Sequence, residues 1–186
     1  MIPTVVYDAN VLYPSTLRDV LIRVGIEHLA VPRWTDQILD ETFRNLAANR
    51  PDLSTVRLMR TRALMNAAIP DVLVTGYERH LDAVTLPDPE DHHVVAAALH
   101  ASASMIVTKN LHDFPEHALT PHGLTAIHPD AFLTDLTARH PDTLAQIVRQ
   151  IAHAWRANPS TAAVLDSLAV EAPETAARLR ATLQPE

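Results

Sequence analysis

The chain has 186 residues, is 47% hydrophobic and 20% charged, and carries a formal net charge of −7, the profile of one folded domain with an appendage rather than of a disordered chain. It contains no cysteine, which excludes disulfides, thiolate zinc sites, iron–sulfur clusters and cysteine nucleophiles and suits a reducing cytoplasm. Its three glycines, Gly25, Gly76 and Gly123, are too scattered for a phosphate-cradling loop or a dinucleotide fingerprint, and its longest apolar run, VVAAAL at 94–99, is too short to span a bilayer.

PTVVYD at 3–8 is a short β-branched run ending in an acid, which predicts a buried strand whose C-terminal end faces a site. Leu17, Val20, Leu21 and Val24 follow at helical spacing. Thr35 is a good N-cap for a helix over 35–50 that turns Leu39, Phe43 and Leu46 inward. A further helix is expected from Leu53 to Ala68, ended by Pro70, and DVLVT at 71–75 reads as a strand. LPDPED at 86–91 opens the next helix, with Asp88 as N-cap and Pro89 at the first helical position. SMIVT at 104–108 is another buried strand. Alternating strands and helices predict an α/β fold with a parallel sheet. From Pro129 onward the pattern is helical and punctuated by Pro129, Pro141, Pro159 and Pro173, giving an expected division into residues 1–128 and a helical appendage over 129–186. Leu144, Val148, Ile151 and Trp155 in that appendage need a surface to cover them: the body, a second subunit or a partner.

Charge is unevenly distributed. Arg44, Arg50, Arg57, Arg60 and Arg62 meet one acid, Asp52, within residues 44–62, so this stretch carries +4 and the remainder −11. The stretch is either a basic face for phosphate or a solvated helix surface.

Four acids stand out by position. Asp8 ends the first strand, Glu41 lies within a helix, Asp91 sits in the first turn after Pro89, and Asp113 follows SMIVT. Strand C-termini and helix N-termini share one edge of an open parallel sheet, so Asp8, Asp91 and Asp113 are expected on one rim. Taken singly, each has an ordinary explanation: Asp8 in an Asx-turn, Glu41 on a solvated face, Asp91 against a helix dipole, Asp113 in a turn. Gathered, they would repel unless a cation lay between them, and Mg²⁺ or Mn²⁺ favours such oxygens. Phosphodiester hydrolysis is suitable chemistry for that arrangement. His92 and His93 are adjacent and lack a zinc-site partner spacing, so surface or supporting roles are expected. Helix capping accounts for Ser15 and Thr16.

VVYDANVLYPS at 5–15, ILDETFRNL at 38–46, DPEDHHVVAAAL at 88–99 and IVTKNLHDFP at 106–115 together resemble a PIN domain, particularly the VapC-type ribonuclease toxins of bacterial toxin–antitoxin pairs. The resemblance covers roughly residues 1–128 and implies a three-layer α/β/α sandwich with a mainly parallel sheet. It also implies Mg²⁺ or Mn²⁺ dependence, cleavage of RNA and a VapB-like antitoxin. The lack of cysteine and of a long apolar run gives the expectation of a cytoplasmic location without membrane attachment, and a homodimer is left open. The family's acids fall on Asp8, Glu41, Asp91 and Asp113, as catalytic and metal-binding residues. Asn10, Arg44, Thr108 and Asn110 are weaker candidates for contact with substrate. Where many relatives carry an acid two residues after the strand-ending threonine, this chain has Asn110, so Asp113 must supply the charge. The segment from Pro129 and Asp130 resembles an extension found in a subgroup of VapC-like proteins. Two rivals remain: a PIN-like module that binds RNA or regulates without turnover, and, less favoured because position 10 is Asn, a phosphatase of the haloacid-dehalogenase type.

Overall fold

In the computed structural model, which describes residues 2–155, 157 and 160–183, four short apolar runs align into a single parallel sheet. The strands are β1 (Thr4–Tyr7), β2 (Val31–Arg33), β3 (Met105–Val107) and β4 (Thr125–Ile127), in the order β2-β1-β3-β4. Val6 pairs with Arg33 on one side and Ile106 on the other, and Ile106 pairs with Ala126. Val5, Val6 and Tyr7 are fully buried, so both faces of the central strand are covered, as a parallel sheet requires.

The covering helices of the body are α1 (Ala9–Leu12), α2 (Ser15–Ile26), α3 (Asp36–Asn49), α4 (Thr55–Ala68), α5 (His92–His100) and α6 (Glu116–Leu119). With the sheet they make an α/β/α sandwich. Their ends are set by local chemistry: the Thr35 hydroxyl accepts from the Ile38 amide at 3.1 Å, and the Asp88 carboxylate accepts from the Glu90 amide at 2.9 Å. Asp88 and Pro89 start a 3₁₀ turn, Pro89–Asp91, which runs into α5.

Beyond β4, α7 (Pro129–Arg139), α8 (Pro141–Ala154), α9 (Thr161–Ala169) and α10 (Pro173–Leu183) are helical throughout their described residues, with Pro in the first turn of α7 and α8. Pro159 lies outside the described residues. The apolar face of α8 meets the body: Leu144, Val148 and Ile151 are at most 1% exposed and share one continuous core with the residues of β1 and α2. Phe132 of α7 stands edge-on to Tyr7 of β1, with ring centroids 6.4 Å apart.

Strand order positions the site. The chain leaves β1 toward β2 on one side, and β3 toward β4 on the other, so the direction of winding reverses between β1 and β3 and opens a crevice at their C-terminal ends. Asp8 and Thr108 are the residues that follow those ends, and the Asp8 amide still donates to the Val107 carbonyl at 3.1 Å.

Several local expectations require correction. DVLVT forms a single bridge, Leu73 to Trp34, instead of a strand; Asp71 with φ of 53° and Gly76 with φ of 75° bend the chain on either side and leave no room for a ladder. β2 and β4 were not foreseen, because three residues, one of them Pro32, carry too little pattern. Pro14, with no side-chain cap, precedes α2; Thr16 instead pairs its hydroxyl with Ser167 of α9 at 2.7 Å. The basic stretch is also less basic in three dimensions. Arg62 pairs with Asp36 (2.8 Å) and Asp40 across α3, and Arg50 pairs with Asp52 at 2.6 Å. Arg44, Arg57 and Arg60 make no ion pair among the described residues.

Candidate metal centre

Asp8 is the fixed point of the crevice. It is 4% exposed and every contact restrains it: Oδ1 accepts from the Ala9 amide at 2.7 Å, and Oδ2 accepts from the Asn10 side-chain amide at 2.5 Å and the Thr108 hydroxyl at 2.7 Å. The same Thr108 oxygen accepts from Asn10 Nδ2 at 2.9 Å and from the Asn110 amide at 3.0 Å, while Asn10 Oδ1 accepts from the Lys109 amide at 2.9 Å. This network ties the end of β1 to the loop after β3. Asn10 and Thr108 therefore hold Asp8 and the loop in one orientation.

Asp113 enters from that loop, on a 3₁₀ turn over Leu111–Asp113. Asn110 donates to its Oδ2, and His112 Nδ1 lies 3.0 Å from its Oδ1; these two hydrogen bonds hold its carboxyl below the usual range. Asp91 enters from the opposite wall at the start of α5. Asp88, Asp91 and Asp113, all half-buried, bring one carboxylate oxygen each within 4.8 Å of one another. Asp88 is the member that sequence reasoning missed. Its role as N-cap was recognised and is real, but the 3₁₀ turn that it caps also curls it back beside Asp91.

Glu41 lies on α3, half-buried, and is not part of that close trio. Its coupling to the site is electrostatic: its carboxyl is raised by burial, then by Asp8, and further by Glu90 and Asp88, with Arg44 opposing. Arg44, one turn along and exposed, thus faces the acidic field rather than a carboxylate partner. Asp8 is raised by burial, against its three hydrogen bonds. Asp91 is pushed up to about 7, first by burial and then by Asp8, Asp88, Asp113 and Glu41. Asp8, Glu41, Asp88, Glu90, Asp91 and Asp113 thus bring negative charge to one crevice, with Arg44 opposing it at Glu41. Such a field is relieved by protons or by a cation.

The donor set fits a hard divalent ion. All candidate ligands are carboxylates, there is no cysteine, and neither His92 nor His93 belongs to the trio. His92 Nε2 accepts from the Leu86 amide at 3.3 Å, and His93 is buried, with Nδ1 lacking a partner and its pKa lowered to about 4 by burial.

A small all-parallel α/β/α fold with clustered acids at its winding reversal is the architecture of a PIN nuclease-type domain. A PIN domain family signature matches residues 4–112, and the chain belongs to that family. A second signature, described as the VapC50 C-terminal domain, matches residues 129–181. The chain is also 37% identical over 92 residues to a protein of Mycobacterium tuberculosis that bears the name "Putative ribonuclease VapC50". That alignment takes in 49% of this chain and 54% of the relative, about half the relative's length. The protein is thus a VapC-like PIN protein with a VapC50-type C-terminal region. No solved structure matches the chain.

Proposed function

We propose that this protein is a Mg²⁺- or Mn²⁺-dependent endoribonuclease and the toxin of a VapB-like toxin–antitoxin pair, acting in the cytoplasm. The single observation that carries the nuclease reading is the convergence of Asp88, Asp91 and Asp113 within 4.8 Å beside the rigidly held Asp8. Similarity to a protein named as a ribonuclease, together with the VapC50-type C-terminal match, supports the RNA substrate and the antitoxin. No helix among the described residues is long and apolar enough to cross a membrane. Residues 1–128 form the nuclease domain in this reading and 129–186 its extension, and pairing of two chains is compatible with it.

Asp8, Asp88, Asp91 and Asp113 would hold the ion, with Glu41 on the rim. A bound divalent cation supplies Lewis-acid polarisation of the phosphate and makes water easier to deprotonate. The chain's own groups do the rest. Thr108 and Asn10 keep Asp8 from rotating. The hydrogen bonds from Asn110 and His112 favour the ionised form of Asp113. Asp91 carries a proton near neutrality when the crevice holds only acids, and releases it when positive charge enters. Arg44, which acts on Glu41 and makes no ion pair among the described residues, would bind a scissile phosphate in this reading.

The test is incubation of the purified protein with total RNA in Mg²⁺, in Mn²⁺ and in EDTA. Cleavage with either metal, absent in EDTA and absent in Asp91→Asn, is the expected result. RNA that is bound but left intact in all three conditions would establish the non-catalytic alternative.

A further inference from the structure

The C-terminal region meets the loop that carries Asp113 through an ion pair. Lys109 Nζ donates to Glu171 Oε2 at 2.9 Å, joining the loop after β3 to the turn between α9 and α10. Neither side chain is freely solvated, with 33% of Lys109 and 21% of Glu171 exposed.

Glu171 lies in a turn that is held on both sides, by the body before it and by α7 after it. One turn earlier, Ser167 pairs with Thr16 at the start of α2 at 2.7 Å. Just after it, Ala172 is fully buried and its amide closes onto the Leu168 carbonyl at 2.8 Å. Asp130, which directly follows the first residue of α7, then accepts from the amides of Glu174 and Thr175 at 3.0 and 2.9 Å and from the Thr175 hydroxyl at 2.8 Å. The α9–α10 turn is thereby clamped to α2 on one side and to the exit from β4 on the other.

Lys109 is equally constrained. Its main-chain amide donates to Asn10, its neighbour Thr108 donates to Asp8, and its other neighbour Asn110 donates to Asp113. A displacement of Lys109 would therefore be transmitted to two of the carboxylates at once.

We infer that Glu171 is a positioning residue of the acidic centre, acting through Lys109 to fix the Thr108–Asp113 segment, so that the C-terminal helices complete the cation site rather than merely adjoin it. The inference rests on the metal-centre reading above. It assigns the tail a task that needs no contact with RNA.

The test uses the full-length chain and titrates Mn²⁺ by calorimetry in RNA-free buffer, with cleavage measured alongside. Lys109→Gln is the discriminating variant. It removes a positive charge next to a nest of acids, so the electrostatic field alone predicts tighter Mn²⁺ binding. Loss of positioning predicts weaker binding, by about threefold to fivefold for a partly buried ion pair. Glu171→Gln should weaken binding to a similar degree, and the reversed pair Lys109→Glu with Glu171→Lys should restore it to within about twofold. Asp166→Asn, which breaks the 2.5 Å pair with Arg180 elsewhere in the tail, should leave Mn²⁺ affinity unchanged. Circular dichroism confirms that each variant is folded.

Equal or tighter Mn²⁺ binding by folded Lys109→Gln would overturn the inference, as would a reversed pair that fails to restore affinity. A wild-type chain that binds Mn²⁺ and responds to these variants but cuts no RNA would uphold the positioning role and sink the nuclease proposal. A wild-type chain that binds no Mn²⁺ would overturn both.

Discussion

Replacing Asp91 by Asn separates the demands of the site from those of the fold. The Asp91 carboxyl moves from 3.8 to about 7 in the metal-free protein, a gap that sets a ceiling of about 4 kcal/mol on the cost of ionising it there. Asp91 is only half-buried, and solvent screening lowers the realistic figure to about 1–2 kcal/mol. The sign follows from proton linkage. Between about pH 4 and about pH 7 the folded chain binds a proton that the unfolded chain releases, so stability falls as pH rises through that window, and the penalty is complete above it. Asn mimics the protonated acid. Asp91→Asn is therefore expected to raise the thermal midpoint by about 3–6 °C at about pH 8.5 and by only about a third as much at about pH 5, in EDTA. The same variant should lose Mn²⁺-dependent stabilisation and RNA cleavage. Scanning calorimetry at the two pH values, with and without Mn²⁺, reads all of this. A variant that is less stable than wild type at the higher pH, or that still cleaves RNA, would refute the reasoning that Asp91 is a strained carboxylate kept for a cation.

Mn²⁺ affinity should rise with pH up to about 7, approaching tenfold per unit on the acid side, because proton and metal compete for Asp91; calorimetry at several pH values would expose a flat profile. Arg57→Gln should weaken RNA binding and reduce the salt slope by about one phosphate contact, whereas Arg62→Gln should change the slope little because Asp36 and Asp40 already neutralise that guanidinium; equal effects in fluorescence anisotropy would mean that ion pairing does not decide which arginines are available. A chain ending at residue 128 loses the ring of Phe132 from Tyr7 as well as the α8 face over α2, and should be destabilised by more than about 3 kcal/mol; chemical denaturation would show whether the body keeps its stability without the tail.

The long elements could be read from sequence because their signals are redundant. α3 has an N-cap, an amphipathic stripe and acids in place, and α8 has Pro in its first turn and an apolar face of Leu144, Val148 and Ile151. β1 and β3 announced themselves as β-branched runs that are buried on both faces. The edges could not be read in that way. β2 and β4 contain three residues each, and what makes them strands is pairing with β1 and β3, a non-local cause. DVLVT has stronger local propensity than either, yet Asp71 and Gly76 turn the chain out of register after one bridge.

The acidic site divides along the same line. Asp8 could be placed because a strand end in a parallel sheet has one destination, and Asp91 because a helix start beside that sheet has nearly the same one. Asp88 was hidden by having a sufficient local explanation: a carboxylate that satisfies the Glu90 amide needs no further role, and only the tightness of the 3₁₀ turn shows that it can cap with one oxygen and still lie among Asp91 and Asp113. Glu171 was hidden for the opposite reason. Nothing near it in sequence suggests chemistry, since its significance comes from Lys109, 62 residues away. A local motif can thus conceal a ligand by explaining it too well, and a distant partner can create a role that no motif contains. Both cases arise from the same geometry, in which the winding reversal brings the ends of β1 and β3 together and the C-terminal helices fold back against the loop that leaves β3.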